Sequence, residues 1–176
     1  MISTMVLKQF LTLLVVSAVL ALVVNLVSPN AIPLIGQYRS LSSAGEPIVP
    51  PTAEPGDPPF IDINLARFEF DLGQALFLDT REYEDFRCGT IPGSINIPFE
   101  YMPDGDLTAY LDSAFNGAAF DQTIIMFCSG EECDLSLHMG RFLSTSGYTN
   151  TVIFFGGARE WEQSGFEVER RADCGD

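Results

Sequence analysis

Basic residues are scarce in this chain: nine Lys and Arg stand against 24 Asp and Glu in 176 residues, a formal net charge of −15. From Asp57 onward 22 acidic residues face seven basic ones, so that portion carries the whole excess. Such a surface argues against nucleic acid or anionic lipid as partners. Its plain role is solubility, and a partner protein drawn to the acidic face is the rarer alternative. Histidine is nearly absent. His138, the single one, falls in the first turn of a helical pattern and reads as a solvent-facing residue rather than a catalytic base. Cys128, Cys133 and His138 follow no zinc spacing and lack a fourth ligand, so neither a metal nor another cofactor is expected. No internal repeat appears, and the length suits one core of ordinary size.

Charge is missing altogether between Lys8 and Arg39. After a short N-terminal end, residues 1–9, the run Phe10 to Ser28 is nearly continuous Leu, Val and Ala; as a helix its 19 residues would reach about 28 Å, close to the ~30 Å of a bilayer's hydrocarbon. The run is a transmembrane anchor or a signal sequence. Pro29 stands where a cleavable signal would want a small residue before Ala31, which favours the uncleaved anchor; secretion after cleavage is the alternative. Lys8 and the amino terminus are the positive charges ahead of the span. They place the short end in the cytoplasm and the C-terminal domain outside it, periplasmic or extracellular, on a single-pass protein. Residues 29–59 form a Pro-rich linker, and Ser42 to Pro59 contains six prolines that block helices and donate nothing to a sheet. A semi-rigid extended spacer is expected there.

Residues 60–170 alternate short apolar runs with amphipathic stretches, and 171–176 form a tail. Strands are expected at Ile61 to Ile63 on an edge, Leu76 to Asp79, Ser94 to Pro98, Thr123 to Phe127 in the centre, Thr151 to Phe155, and Phe166 to Glu169. Helices are expected at Asn64 to Leu72, Glu82 to Arg87, Leu107 to Phe115, Ser136 to Thr145 and Ala158 to Gln163. Alternation on this scale predicts an α/β fold, a mostly parallel sheet with helices on both faces. Trp161 and the phenylalanines read as core.

Ligands on such folds gather at the carboxyl ends of the strands, where Asp79 and Cys128 both fall. Cys128 ends an apolar run and opens a small polar loop before a helix, so free backbone N–H groups of the turn and helix start would favour a thiolate there. The expected anion cradle is the backbone N–H groups of Ser129, Gly130, Glu131, Glu132, Cys133 and Asp134. An inert, buried cysteine is the alternative. Arg81, two residues past Asp79, either supports the loop or forms a structural link with Asp79 or the backbone. Cys88 is expected to be a free, half-buried thiol, with a link from Cys174 to Cys88 or to another chain as the alternative.

Asp79-Thr-Arg81 with Glu84 and Phe86, then Gly89-Thr-Ile-Pro-Gly-Ser-Ile-Asn-Ile-Pro98, resembles the first signature of the rhodanese family. The family usually has His where Thr90 stands. The strand into Cys128, Gly147-Tyr148, Gly156-Gly-Ala-Arg-Glu-Trp161 and Gly165-Phe-Glu-Val168 resemble its second half, so the likeness covers nearly all of residues 61 to 170. It implies a sulfurtransferase in which Cys128 carries sulfane sulfur as a persulfide between a donor and a thiol acceptor. This loop departs from the pattern. Ser136 comes eight residues after Cys128 rather than six, and Glu131, Glu132 and Asp134 fill the loop without a basic residue. Carboxylates beside a thiolate repel thiosulfate and raise the thiol pKa. The rhodanese-like cell-cycle phosphatases share a longer loop but need an Arg where Asp134 stands, which argues against a phosphatase. Cys133 opens a second reading, a thiol-disulfide redox switch in which it resolves a persulfide or mixed disulfide on Cys128. A non-catalytic rhodanese-fold binding module is the third.

Overall fold

The computed structural model describes residues 4–28, 45–102, 107–115, 120–130, 133–171 and 174. The chain forms two compact units, Met1–Arg39 and Ser40–Asp176. In the first, helix α1 (Thr4–Val27) is apolar on every side. Its two described hydroxyls are satisfied within the helix, Thr12 donating to the Lys8 carbonyl at 2.9 Å and Ser17 to the Leu14 carbonyl at 3.0 Å. By length and composition the stretch Lys8–Asn25 is able to cross a membrane; a signal sequence near the N-terminus meets the same description.

The second unit is a four-stranded parallel sheet in the order β2-β1-β3-β4, with β1 Leu76–Asp79, β2 Ile95–Asn96, β3 Ile124–Phe127 and β4 Thr151–Phe154. Strand β3 is central because every one of its residues is apolar and buried. Alternation sends Ile124 and Met126 to one face and Ile125 and Phe127 to the other. Helices α4 (Leu107–Ala114) and α5 (Leu135–Thr145) cover the first face through Leu111, Leu137, Met139 and Leu143. Helices α2 (Ile63–Leu72) and α6 (Gly157–Gln163) cover the second through Ile63, Ala66 and Trp161. A short helix α3 (Tyr83–Cys88) follows β1, and the turn Phe99–Tyr101 follows β2. The parallel sheet and both covered faces agree with the alternation of apolar runs.

Two expected strands are reduced to single bridges. Asp62 Oδ1 accepts the Leu65 N–H at 2.8 Å as the N-cap of α2, and helix beginning at Ile63 ends the run expected as an edge strand over Ile61 to Ile63. What remains is a single bridge between Phe60 and Ile153. The strand expected over Phe166 to Glu169 is likewise reduced to a bridge between Thr90 and Glu169, with Phe166 and Val168 packed on the Trp161 face. The Pro-rich stretch differs most. Its described part, from residue 45, lies along the domain: Pro50 and Pro58 are buried, Ile48 packs on the core, and Asp57 pairs with Arg141 of α5 through contacts of 2.6 and 2.8 Å. Proline loses little entropy on docking, so a Pro-rich segment with an apolar anchor suits packing as well as spacing.

Cys88, expected as a free thiol, is joined to Cys174, with Cα atoms 5.4 Å apart across 86 residues. The crosslink ties the tail to the C-terminal end of α3, where the Arg171 guanidinium also lies 4.4 Å from the centre of the Phe86 ring. Replacing both cysteines by serine should lower stability by about 2–4 kcal/mol, because the closed loop is long and its loss frees the unfolded chain. Denaturant unfolding without reductant measures it.

The Arg141 guanidinium holds the Asp57 carboxyl below the usual carboxylate range, a pull that the burial of Asp57 partly offsets. A depressed value means that the pair stabilises the docked segment above the ordinary carboxylate range and ceases to do so as pH falls through the folded value. Hydrogen-exchange protection of the Glu54 amide, which donates to Asp57 Oδ2 at 2.7 Å, should therefore drop in acid. In Arg141→Ala it should be low already at neutral pH.

Candidate functional site

Parallel pairing places Asp79 beside Phe127, so the carboxyl ends of β1 and β3 share one rim and Cys128 follows directly. Thr80 binds the same edge twice, its N–H and its hydroxyl both donating to the Phe127 carbonyl at 3.0 Å. The main chain of Cys128 is held from the other side by the start of α6. The Ala158 N–H donates to the Cys128 carbonyl at 2.9 Å, and the Arg159 N–H to the Ser129 carbonyl at 3.1 Å. That approach needs a glycine. At Gly157 φ is +64°, and a Cβ there would stand 2.3 Å from the Cys128 carbonyl oxygen, which explains the Gly156-Gly157 pair.

The Cys128 side chain is crosslinked to Cys133, with Cα atoms 6.2 Å apart, inside the usual disulfide range of about 4.4–6.8 Å. The Cys133 N–H donates to the Gly130 carbonyl at 2.9 Å, closing a turn that folds the loop back on itself. Of the amides expected to form a cradle, that of Cys133 is thus bound to a carbonyl, and Glu131 and Glu132 lie outside the described residues. The sulfur of Cys128 has a sulfur for a neighbour and a hydroxyl beyond it, Ser129 Oγ at 3.8 Å. Cys128 is 1% exposed, while Cys133 is half-buried. Asp134, at the start of α5, accepts the Thr52 hydroxyl at 3.0 Å. Two residues on, the Ser136 hydroxyl is fully buried with no hydrogen-bond partner among the described residues. His138 is exposed and stacks on Phe99, away from any proton-transfer partner among the described residues.

Asp79 and Arg81 form a buried pair at the rim. Arg81 Nε donates to Asp79 Oδ1 at 2.9 Å and Nη2 to Oδ2 at 2.6 Å, a two-pronged fit that guanidinium planarity allows. Nη2 also donates to the Gly89 carbonyl at 2.6 Å, and the Thr90 hydroxyl to Asp79 Oδ2 at 2.8 Å. Ser94 completes the chain at 2.8 Å from Thr90. Asn96 spans the Asp79 and Arg81 carbonyls at 3.1 and 2.8 Å. The pair thus links β1, β2 and the residues after α3. Beside it opens a cleft of about 270 Å³, bordered by Arg81, Asp85, Thr90, Ser129, Arg159 and Glu162. Arg159 was not singled out from the sequence, although it lies within the Gly156-to-Trp161 motif; its exposed side chain forms no ion pair among the described residues. Asp79→Ala should cost about 3–5 kcal/mol in thermal or denaturant unfolding, because it strands the Arg81 charge where water is excluded.

The sheet, the Gly156-Gly157 turn and the cysteine directly after β3 define a recognisable class. Residues 65–164 match the family model described as the rhodanese-like domain, and the chain belongs to that family. Human thiosulfate:glutathione sulfurtransferase is 32% identical over 95 residues, which cover 51% of this chain and 80% of that protein. The HTH-type transcriptional regulator Rv0324 of Mycobacterium tuberculosis is 27% identical over 107 residues, 60% of this chain but only 42% of the regulator. Among solved structures, a human single-domain sulfurtransferase shares the fold at a TM-score of 0.51 and 24% identity, covering 60% of this chain and 96% of that one. The thiosulfate sulfurtransferase of Pseudomonas aeruginosa also shares the fold, at 0.51 and 19% identity, covering 65% of this chain and 21% of that one.

Proposed function

We propose that the domain is a sulfurtransferase and that Cys128, once reduced, carries sulfane sulfur as a persulfide. The reading rests chiefly on the position of Cys128 directly after β3, at the carboxyl rim of a rhodanese-like sheet, in a chain 32% identical to a protein named for thiosulfate and glutathione. Its thiolate attacks the outer sulfur of a sulfane donor and expels the remainder as a thiolate or sulfite. A thiol acceptor then attacks that outer sulfur and frees Cys128. The sulfur donor and the thiol acceptor are the partners this chemistry requires. In the crosslinked form no thiolate is available, so the disulfide is the idle state. The loop carboxylates Glu131, Glu132 and Asp134 disfavour dianionic thiosulfate relative to a persulfide or polysulfide of lower charge.

The crosslink itself supports a second reading, a thiol-disulfide switch on Cys128 and Cys133 that carries no sulfur. We propose for either reading a domain outside the cytoplasm. All four cysteines are in disulfides, a state typical of oxidising compartments, and α1 is suited to anchor or export the chain.

The reduced Cys133→Ser chain exposed to glutathione persulfide or polysulfide should gain the mass of one sulfur atom on the peptide containing Cys128, and the variant with both Cys128→Ser and Cys133→Ser should gain none there. No sulfur on Cys128 with any sulfane donor would remove the transferase reading. Disulfide exchange that proceeds normally in the unsubstituted chain would leave the switch.

A further inference from the structure

The two cysteines of the loop suit more than transfer. We propose that the Cys128–Cys133 pair is a sulfane reductase centre, in which Cys133 attacks a persulfide on Cys128 and releases the sulfur as sulfide. This rests on the reading that Cys128 carries a persulfide, and it adds a product and an electron balance to it.

In the first step the Cys128 thiolate takes the outer sulfur of a hydropersulfide RSSH, forming Cys128–S–SH and releasing RSH. In the second, the Cys133 thiolate attacks Cys128 Sγ. The Cys128–Cys133 bond forms, the bond between Cys128 Sγ and the sulfane sulfur breaks, and that sulfur leaves as HS⁻ with the bonding electron pair. Each turnover oxidises the dithiol by two electrons and reduces one sulfane sulfur to sulfide. The end state is the crosslink present in the structure. A dithiol protein of the thiol-disulfide exchange class then supplies two electrons and restores both thiols.

Four features of the loop favour this course over handing sulfur to an external thiol. The Cα atoms of Cys128 and Cys133 are 6.2 Å apart, and the Cys133 N–H donates to the Gly130 carbonyl, a main-chain bond that involves neither sulfur. A tethered thiol at that range competes with a diffusing acceptor as an intramolecular reaction does with a bimolecular one. The acidic residues of the loop add repulsion against anionic acceptors, which Cys133 does not have to cross. Cys128 is buried and Cys133 half-buried, so a persulfide on Cys128 is shielded while the reductant meets Cys133 first. Attack on Cys133 expels Cys128 as the leaving thiolate, whose sulfur has the Ser129 hydroxyl 3.8 Å away. Cys88 and Cys174 are bonded to each other in this structure, and once reduced they are the further thiols that a control must account for.

The test is a single turnover. The full chain is reduced, freed of reductant, and mixed with substoichiometric glutathione persulfide; sulfide is measured, and peptides are mapped without reduction. Sulfide equal to the sulfane sulfur supplied, with a new Cys128–Cys133 link, is the expected result. Cys133→Ser should release at least tenfold less sulfide and retain the persulfide on Cys128, which also shows that its site is intact. Cys128→Ser, which keeps the Cys88 and Cys174 thiols, should release as little. A wild-type chain that holds its persulfide, or a Cys133→Ser chain that releases sulfide at the wild-type level, overturns the proposal and leaves the transferase reading standing. Absence of persulfide on Cys128 in both the wild-type and Cys133→Ser chains overturns the two together.

Discussion

The carbonyl of Cys128 is the point through which this domain is organised. It ends the central strand, and the N–H of Ala158 binds it from the start of α6, so the sheet rim and the helix over its second face are fixed to each other beside the cysteine. The contact exists only because Gly157 has no side chain and adopts positive φ. Everything near the candidate site depends on that closeness. Ser129 and Arg159 are joined through their main chains, the cleft opens between them and Arg81, and the loop must complete its turn to α5 in the few residues left.

Electrostatics divide the domain into an acidic exterior and a small buried network around Asp79. Asp79 is buried but surrounded by donors from Arg81 and Thr90, so its charge is balanced without water. The same pair holds β1 to the residues that follow α3, and so forms one wall of the cleft. Thr90, which replaces the more usual histidine of related signatures, is part of this internal network, with its hydroxyl committed to Asp79 and Ser94. Arg159 differs from Arg81 in carrying an exposed guanidinium without an ion pair among the described residues, the free positive charge nearest the loop along the chain.

A ring of amides around a lone thiolate stabilises charge by dipoles alone. Here a second sulfur is bonded to the first and the Cys133 amide is bound to the Gly130 carbonyl, so under the proposed function the oxidation state of two cysteines counts as well as the field around one. Acidic residues in such a loop are unfavourable for an anion cradle and harmless to an internal exchange between neighbouring thiols.

Short-range pattern was enough for much of this. The uninterrupted apolar runs marked β1, β3 and β4, and the motif around Gly156 to Trp161 pointed to the family, because each depends on residues adjacent in the chain; the Asp62 cap that starts α2 was not read. Contacts across long separations were less legible. The Cys88–Cys174 link, which spans 86 residues, stood only as an alternative; the Asp57–Arg141 pair joins a Pro-rich stretch to α5, and Arg159 borders the cleft from α6. The spacing of Cys128 and Cys133 allowed a cradle, the first reading, or a crosslink, the second. The sequence by itself determined the strand order of events along the chain, the family, and which sulfur ends the central strand, since these follow from local periodicity and side-chain size. Only the tertiary structure decided that Cys133 turns inward, because the direction of a side chain in a short loop is set by what the packed elements on either side leave open to it.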